Sequence, residues 1–175
     1  ELAAPLDVIV PRKIPAPGQE ELAIGAVVSW GDHERLLDHH AVRYLKVSED
    51  YITREVERQL AEINRRLLAY RGTTDPPDVA GRTVILVDDG IATGYTTRAA
   101  VLAVGRLGAG KIVLAVPVGP ADSLAAIQPY VGELICLRIP SPFLAVGYWY
   151  RDFAQVSDEE VIELLVKRAR SNDSG

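Results

Sequence analysis

The stretch that decides the fold is Thr83-Val84-Ile85-Leu86-Val87-Asp88-Asp89-Gly90-Ile91-Ala92-Thr93-Gly94-Tyr95-Thr96-Thr97. Its first five residues are aliphatic or β-branched, which predicts a strand buried on both faces of a parallel sheet. Two aspartates follow, then a turn bounded by two glycines, and then a helix predicted from Arg98 to Arg106. Such a turn predicts an anion site, because free backbone N–H groups and the helix dipole both favour negative charge there.

The paired acids, Asp88 and Asp89, follow the predicted strand at its carboxyl end, where open α/β sheets bind their ligands. The hydroxyl groups of Thr93, Thr96 and Thr97 add hydrogen-bond donors. A phosphate site beside two acids suits a molecule that carries a phosphate and vicinal hydroxyls, or a Mg²⁺-bound polyphosphate. The alternative is a βα turn with a capping threonine and two exposed aspartates. We favour the ligand site, because the whole pattern is much rarer than two adjacent acids.

The same stretch resembles the phosphoribosyl diphosphate (PRPP) signature of the type I phosphoribosyltransferases. That signature is an apolar run, two acids, two or three variable residues, then Thr-Gly and small hydroxylated residues. The resemblance implies that Asp88 and Asp89 are catalytic and contact the ribose hydroxyls, directly or around Mg²⁺. It also implies a homodimer and a set of residues around the 5′-phosphate, namely Ala92, Thr93, Gly94, Tyr95, Thr96 and Thr97.

The reaction implied by the resemblance displaces diphosphate from C1 of PRPP by a nitrogen of a nucleobase or related acceptor. Mg²⁺ would bridge the diphosphate and the ribose hydroxyls. Ala92 disfavours the enzymes for 6-oxopurines, which carry an aspartate two residues before the signature glycine. The alternative function is a regulatory module that binds PRPP or a nucleotide without turnover. A silent structural homologue is disfavoured by the retained acids, and a P-loop enzyme by the absence of its motif.

The composition bounds the class of protein. The chain has 175 residues, of which 48% are hydrophobic and 25% are charged, which predicts one globular domain over residues 1–175. The net charge of −5 argues against a broad nucleic-acid surface. No apolar run has the length of a membrane span and no secretory signal is recognisable, so we expect a cytoplasmic protein without a membrane partner.

The first residues suggest that the sequence begins inside a longer gene product. The chain has no methionine, and Glu1–Pro5 reads like a helix end followed by a turn. The resemblance places a first strand and a Pro-Arg-Gly-Gly-like diphosphate loop upstream of a strand predicted at Leu6–Val10. Residues 1–175 do not contain that loop, so the resemblance does not establish that this chain is active by itself.

A candidate lid follows that strand. The basic pair Arg12-Lys13 precedes a loop predicted at Pro15–Glu21, and a further strand is predicted at Leu22–Trp30. A strand, a basic pair, a flexible loop and a strand are expected of a lid over an anionic ligand. Type I phosphoribosyltransferases carry a catalytic loop that closes over the diphosphate, and the resemblance makes Arg12 and Lys13 candidate catalytic residues. The alternative is a solvated basic pair on a surface turn.

The middle of the chain alternates strands and helices. Gly31–Asp38 predicts a solvated, irregular segment rather than a metal site, and Tyr44–Val47 predicts a hairpin return. The clearest helix is predicted at Ser48–Arg71, capped by Ser48. The remaining pattern predicts an α/β fold with an open parallel sheet flanked by helices. Its later elements are strands at Lys111–Val118 and Glu133–Ile139 and a helix at Ala121–Tyr130.

The segment Pro140–Phe153 is rich in aromatic residues and lies outside the main sheet pattern, which predicts a small aromatic and helical segment at the C-terminus. Aromatic rings can stack on a planar base, which makes Phe143 and Tyr148 weak candidates for base binding. Packing over the sheet end or across a dimer contact is an equally good interpretation. Ser157–Glu160 predicts a capping box that opens a terminal helix ending at Arg170, followed by a frayed tail at 171–175.

Overall fold

The structure is a computed structural model that describes residues 4–30 and 35–172, with side chains as far as Lys167. The expectations for residues 1–3, 31–34 and 173–175 lie outside the described residues. The elements are β1 (Arg12–Ala16), β2 (Gln19–Val27), β3 (Arg35–Leu37), α1 (His39–Tyr44), α2 (Glu49–Arg71), β4 (Thr83–Val87), α3 (Tyr95–Arg106), β5 (Lys111–Val118), α4 (Ala121–Ile127), β6 (Glu133–Arg138) and α5 (Asp158–Asn172), with 3-10 helices at Gln128–Tyr130 and Val146–Trp149.

The strands form two sheets of three. In the order β1-β2-β3 the first sheet is antiparallel, and in the order β4-β5-β6 the second is parallel. The predicted α/β class with a parallel sheet and helices is confirmed. The sequence reasoning missed the separate antiparallel sheet, because its short strands follow one another without helices between them.

The loop predicted at Pro15–Glu21 is wrong, since these residues belong to a β-hairpin. Ala16 pairs with Gln19, and Gly18 adopts a φ of 70° at the turn, which glycine allows without steric cost. Pro15 lies where the register of β1 shifts, so its missing N–H does not interrupt a regular ladder. The strand predicted at Leu6–Val10 is also wrong, since residues 4–11 do not form a strand.

The hairpin return predicted at Tyr44–Val47 is wrong, since Tyr44 is the last residue of α1 and the next two residues form a turn. Asp38 caps this helix by accepting hydrogen bonds from the N–H groups of His40 and Ala41, both at 2.9 Å. Helix α2 begins where it was predicted, because the Ser48 hydroxyl accepts a bond from the N–H of Tyr51 at 3.3 Å. It ends at Gly72, whose φ is 71°.

Helices α3 and α4 cover one face of the parallel sheet. Val84, Leu86 and the alternate residues of β5 pack with α3 and α4 into one core cluster. On the opposite face Val87 and Leu137 are each 76% exposed. The prediction that β4 is buried on both faces is therefore wrong, although the apolar residues that prompted it are present on both faces.

Helix α3 connects the two sheets. It contacts β1, β2 and β3 on one side and β5 on the other. A second core cluster, which includes Ile14, Ile24 and Ile63, lies between the antiparallel sheet and α2. The turn that joins β4 to α3, here called the signature turn, leads directly into this helix. Because α3 packs against both sheets, that packing fixes the direction in which the helix leaves the turn.

The C-terminal region differs only in detail from the prediction. The helix predicted at Ala121–Tyr130 ends earlier, since α4 stops at Ile127 and a 3-10 helix follows at Gln128–Tyr130. Pro129 has no N–H with which to extend the α-helical hydrogen bonds. The capping box is confirmed, with the N–H of Glu160 bonded to the Ser157 hydroxyl at 3.2 Å and the N–H of Ser157 to the Glu160 carboxylate at 2.9 Å. Helix α5 continues to Asn172, so Ser171 and Asn172 are helical rather than frayed. Among the described helices, none is both long and apolar enough to cross a membrane.

Candidate functional site

The two acids lie at the carboxyl end of β4, which is an edge strand of the parallel sheet. The Asp88 carboxylate accepts a hydrogen bond from the N–H of Asp89 at 3.0 Å through Oδ1. Its Oδ2 accepts a second bond from the Thr97 hydroxyl at 3.3 Å. Thr97 is in the first turn of α3, so this contact joins the acidic pair to the start of the helix.

Burial raises the pKa of Asp88 above its ordinary value of 3.8, and the negative charge of Asp89 raises it further. Burial also raises the pKa of Asp89. Both carboxyls reach solvent, yet the surrounding protein lowers their hydration and disfavours the charged form. No lysine or arginine of the described residues contributes to the Asp88 shift, so the pair is a site of uncompensated negative charge.

The turn between the acids and α3 is held close to the rest of the sheet. The N–H of Ile91 donates to the carbonyl of Val118 at 2.9 Å, and Ile91 is buried. Gly94 adopts a φ of 78° immediately before α3, a conformation that favours glycine. Between them Ala92 and Thr93 are exposed at the tip of the turn. The predicted sequence of strand, tight turn and helix is therefore confirmed, with the helix starting at Tyr95 instead of Arg98.

The N-terminus of α3 presents backbone N–H groups that have no partner within the helix. Gly94, which occupies the capping position, has no side chain to satisfy them. These groups and the dipole of a helix of 12 residues favour an anion at the turn. The predicted phosphate-binding segment from Ala92 to Thr97 is thus contiguous in space as well as in sequence.

Two of the six predicted phosphate residues have side chains committed elsewhere. The Tyr95 hydroxyl donates to Oδ2 of Asp38 at 2.6 Å, and burial together with this bond raises the pKa of Tyr95 to about 12. The Thr97 hydroxyl faces Asp88. These two residues can contribute their backbone N–H groups to an anion, whereas their hydroxyl groups stabilise the surrounding structure.

The donor chemistry of the acidic pair fits Mg²⁺. This ion prefers carboxylate oxygens and is usually held by one or two carboxylates together with substrate oxygens and water. The described residues contain no group of three or more histidine, cysteine or acidic side chains that could hold a metal by themselves. Asp88 and Asp89 would therefore bind Mg²⁺ as part of a shared site with a phosphorylated ligand.

The predicted basic residues lie on β1, away from any described contact with the acids. The Nε of Arg12 donates to the side-chain oxygen of Gln59 on α2 at 2.9 Å. Lys13 is exposed. The structure therefore does not bring the basic pair together with Asp88 and Asp89, and the catalytic role predicted for Arg12 and Lys13 stays a prediction.

The aromatic segment reaches the acids through a residue that the sequence reasoning did not select. The Tyr150 hydroxyl donates to the backbone carbonyl of Asp89 at 2.6 Å, and its ring lies 5.2 Å from that of Phe153. Val146 packs directly on Gly90, since a Cβ added at Gly90 would lie only 2.7 Å from Cγ1 of Val146. Of the two residues predicted to bind a base, Phe143 is half-buried and Tyr148 is 75% exposed.

A second missed residue is Ser123, near the start of α4. Its hydroxyl donates to the backbone carbonyl of Ala92 at 2.7 Å. Asp38 is a third, through its bond with Tyr95. Each of these contacts joins residues more than 30 positions apart, so no local pattern of the sequence could have indicated them.

Comparisons with known proteins agree with this geometry. The family model "Phosphoribosyl transferase domain" matches residues 35–148. Two Mycobacterium tuberculosis proteins, from strains CDC 1551 / Oshkosh and H37Rv, are each named "Putative phosphoribosyl transferase". Each is 43% identical over 169 residues, which is 97% of this chain and 38% of the relative. The chain therefore spans less than half the length of these relatives.

A solved structure also resembles this one. The crystal structure of TT1426 from Thermus thermophilus matches with a TM-score of 0.71 and 36% sequence identity, covering 94% of this chain and 77% of that chain. The matched family region contains the acidic pair, the turn, the start of α3 and Tyr148. From the family match, the relatives and the arrangement of the acidic turn, the chain belongs to the phosphoribosyl transferase domain family.

Proposed function

We propose that the protein transfers the 5-phosphoribosyl group from PRPP to a nitrogen of a nucleobase or related acceptor, releasing diphosphate. One observation carries the proposal. The carboxylates of Asp88 and Asp89 and the N-terminus of α3 are joined by a single short turn. A diol-binding pair and an anion site joined by one short turn suit a ribose 5-phosphate group, which carries vicinal hydroxyls on its ring and a phosphate on the exocyclic C5.

Each part of the turn has a proposed role. Asp88 and Asp89 bind the ribose hydroxyls, and backbone N–H groups of the segment Ala92–Thr97 bind the 5′-phosphate. Mg²⁺, when bound, supplies positive charge to the diphosphate leaving group. The protein then acts by positioning the ligand and by stabilising the charge that develops on the ribose ring.

The raised pKa values of the acids support this assignment. Two adjacent carboxylates without a neighbouring cation disfavour their own ionisation, and a bound cation relieves that repulsion. We therefore propose that Mg²⁺ and PRPP bind together more tightly as pH rises through the raised pKa values.

Of the basic pair Arg12 and Lys13, Lys13 is the better candidate to contact diphosphate, because the Arg12 side chain is bonded to Gln59.

The acceptor is proposed to bind beside Tyr150, where the aromatic segment meets the acidic turn. Exposed rings are available there for stacking on a planar acceptor, with Tyr148 75% and Trp149 42% exposed. Phe143 is half-buried and would serve less well as an open stacking surface. Stacking alone does not select one planar ring over another. The assay of this function therefore compares bases that differ in size and in the hydrogen-bonding groups on their edges.

The test is diphosphate release from PRPP with Mg²⁺ across a panel of purine and pyrimidine bases. We expect release with at least one base and a loss of about a hundredfold or more when Asp88→Asn and Asp89→Asn are combined, as for removal of a principal charge-stabilising group. The matched control is Glu49→Gln with Asp50→Asn, which neutralises two adjacent acids at the start of α2.

The assay separates three outcomes. Release that is lost in the site variant and retained in the control supports the proposal. Binding of PRPP without release with any base would replace it with a regulatory module that binds PRPP or a nucleotide without turnover. Absence of Mg²⁺-dependent PRPP binding would overturn the ribose assignment for Asp88 and Asp89.

A further inference from the structure

Two backbone carbonyls in the signature turn are hydrogen-bonded by hydroxyl groups from distant parts of the chain. The carbonyl of Ala92 accepts from Ser123 at 2.7 Å, and the carbonyl of Asp89 accepts from Tyr150 at 2.6 Å. A planar trans peptide unit directs its C=O and its N–H in opposite directions. A hydroxyl that holds the carbonyl of one residue therefore also fixes the N–H of the next residue.

The Ser123 contact bears on the proposed phosphate site. Because the Ala92 carbonyl is directed toward α4, the N–H of Thr93 is directed away from α4, at the exposed tip of the turn. The fit between α4 and the turn is close, since a Cβ on Gly94 would lie 3.6 Å from Cβ of Ser123 and 3.1 Å from Cδ1 of Ile127. Helix α4 therefore packs directly against the turn at the position next to this peptide unit.

The Tyr150 contact bears on the acidic pair. It holds the peptide unit between Asp89 and Gly90, on the stretch of backbone that carries both carboxylates. The same region is fixed by packing, because a Cβ on Gly90 would come within 2.7 Å of Val146 and 2.9 Å of Val118.

We propose that Ser123 and Tyr150 are positioning residues, which rests on the proposed function of the turn. Ser123 holds the Thr93 N–H toward the 5′-phosphate, and Tyr150 holds the backbone from which Asp88 and Asp89 reach the ribose hydroxyls. Neither side chain is required by its own element. Alanine at position 123 would suit helix α4 at least as well as serine, and phenylalanine at position 150 would keep the ring contact with Phe153.

The experiment measures the affinity of the Ser123→Ala and Tyr150→Phe variants for inorganic phosphate, ribose 5-phosphate and PRPP with Mg²⁺. Ser123→Ala is expected to weaken all three by about three- to tenfold, because each contains the phosphate that Thr93 contacts. Tyr150→Phe is expected to weaken ribose 5-phosphate and PRPP by a similar factor and to leave inorganic phosphate unchanged. Ser123→Thr keeps a hydroxyl and is expected to recover most of the lost affinity.

Matched controls remove a hydroxyl elsewhere. Thr53→Ala lies on the exposed side of α2, and Tyr44→Phe alters a side chain that is 79% exposed at the end of α1. Both are expected to bind all three ligands as the unaltered chain does. The melting temperature of each variant is measured in parallel, because a purely structural role would lower it. For Tyr150→Phe, a purely structural role would also weaken inorganic phosphate together with the two ribose ligands.

The results separate this inference from the function on which it rests. If the unaltered chain binds PRPP and the two variants bind every ligand as tightly, the positioning roles are overturned, and the assignment of the turn to ribose 5-phosphate stands without them. The roles are also overturned if Tyr150→Phe weakens inorganic phosphate as much as ribose 5-phosphate. If the unaltered chain binds neither ribose 5-phosphate nor PRPP, the proposed function itself fails, and this inference fails with it.

Discussion

At the scale of single residues, the acidic pair that we propose as a binding site is also a source of instability. Two carboxylates adjacent in sequence repel each other, and burial opposes the charge of each. The described contacts of Asp88 are the N–H of Asp89 and the hydroxyl of Thr97, neither of which carries a positive charge. Such an arrangement is expected where a site is preorganised for a cation rather than for its own stability.

The first prediction concerns the stability of Asp88→Asn. A carboxyl whose folded-state pKa lies above its ordinary value of 3.8 destabilises the folded protein once it is ionised. This penalty is absent below pH 3.8, develops as pH rises toward the raised pKa, and is complete above it. Asp88→Asn removes the charge, and its amide oxygen can still accept from the N–H of Asp89 while its amide nitrogen can donate to the hydroxyl oxygen of Thr97. We expect it to increase the melting temperature at pH 7 without Mg²⁺, and the increase to shrink as pH falls toward 3.8.

The control is Glu57→Gln, which removes one negative charge from the exposed side of α2. We expect a much smaller change in melting temperature from this variant. A melting temperature of Asp88→Asn that is lower than that of the unaltered chain at pH 7 would contradict the prediction. It would indicate that the carboxylate has a stabilising partner in the folded protein.

The sequence predicted those parts of the candidate site that belong to one local motif. Asp88, Asp89 and the turn to Thr97 form one motif, and their order along the chain is also their order in space. Ser123 and Tyr150 are ordinary residues in their own segments and were not selected. Their importance depends on which segments the fold brings beside the turn, which one sequence does not specify.

At the scale of elements, α1 and α3 are joined by a single acidic side chain. Asp38 uses Oδ1 to cap α1 and Oδ2 to accept the Tyr95 hydroxyl at the first residue of α3. The Tyr95 bond is the largest cause that lowers the pKa of Asp38, and the bond to the N–H of Ala41 lowers it further. The start of α1 and the first residue of α3 are therefore held together by a polar contact.

The second prediction follows from this double role. Asp38→Ala removes a helix cap and leaves the Tyr95 hydroxyl without its acceptor, so we expect a loss of about 1–3 kcal/mol in the free energy of unfolding at pH 7. Because the pKa of Asp38 is lowered, its contribution is present above the ordinary value of 3.8 and is lost as pH falls through the lowered pKa. Urea unfolding at several pH values measures both effects.

Asp38→Asn and Tyr95→Phe divide this loss into its parts. Asparagine can still cap α1, and phenylalanine removes only the hydroxyl of Tyr95, so each variant is expected to lose less than Asp38→Ala. Equal stability of Asp38→Ala and the unaltered chain would show that neither the cap nor the contact with α3 contributes to the fold.

Element by element, periodicity succeeded where burial is regular. Helix α2 and strand β5 begin and end within one residue of their predicted limits, because a continuous apolar stripe and an unbroken apolar run are strong signals. The β1–β2 hairpin was missed because Pro15, Pro17 and Gly18 are typical of loops. A register shift in β1 accommodates Pro15, and a two-residue turn accommodates Pro17 and Gly18. Neither feature can be recognised from the composition of the segment.

At the scale of the whole molecule, the parallel sheet has one face covered by α3 and α4 and one face that the described residues leave exposed. Parallel sheets normally have helices on both faces. The exposed face carries Ile85, Val87, Ile135 and Leu137, which are from 42% to 76% exposed. The strand at β4 was therefore predicted correctly, whereas its burial depends on which segments cover the sheet.

The last prediction compares the two faces of one strand. Leu137 is 76% exposed, whereas Leu134 on the same strand packs against the core formed with α3 and α4. We expect Leu137→Lys to change the free energy of unfolding by no more than about 0.5 kcal/mol, as for most surface substitutions. Leu134→Lys places a charge against that core, and we expect it to cost about 2–5 kcal/mol.

Urea unfolding of residues 1–175 measures both variants, and binding of a hydrophobic dye reports the exposed face. Leu137→Lys should reduce dye binding by the native protein, because it interrupts the apolar surface shared by β4, β5 and β6. If Leu137→Lys is as destabilising as Leu134→Lys, the outer face is buried in solution, by a second copy or by rearrangement of the chain. If Leu137→Lys is neutral and lowers dye binding, the outer face of the sheet is exposed in solution. The core formed with α3 and α4 then stabilises the sheet from one side, and α3 with its signature turn lies on that side.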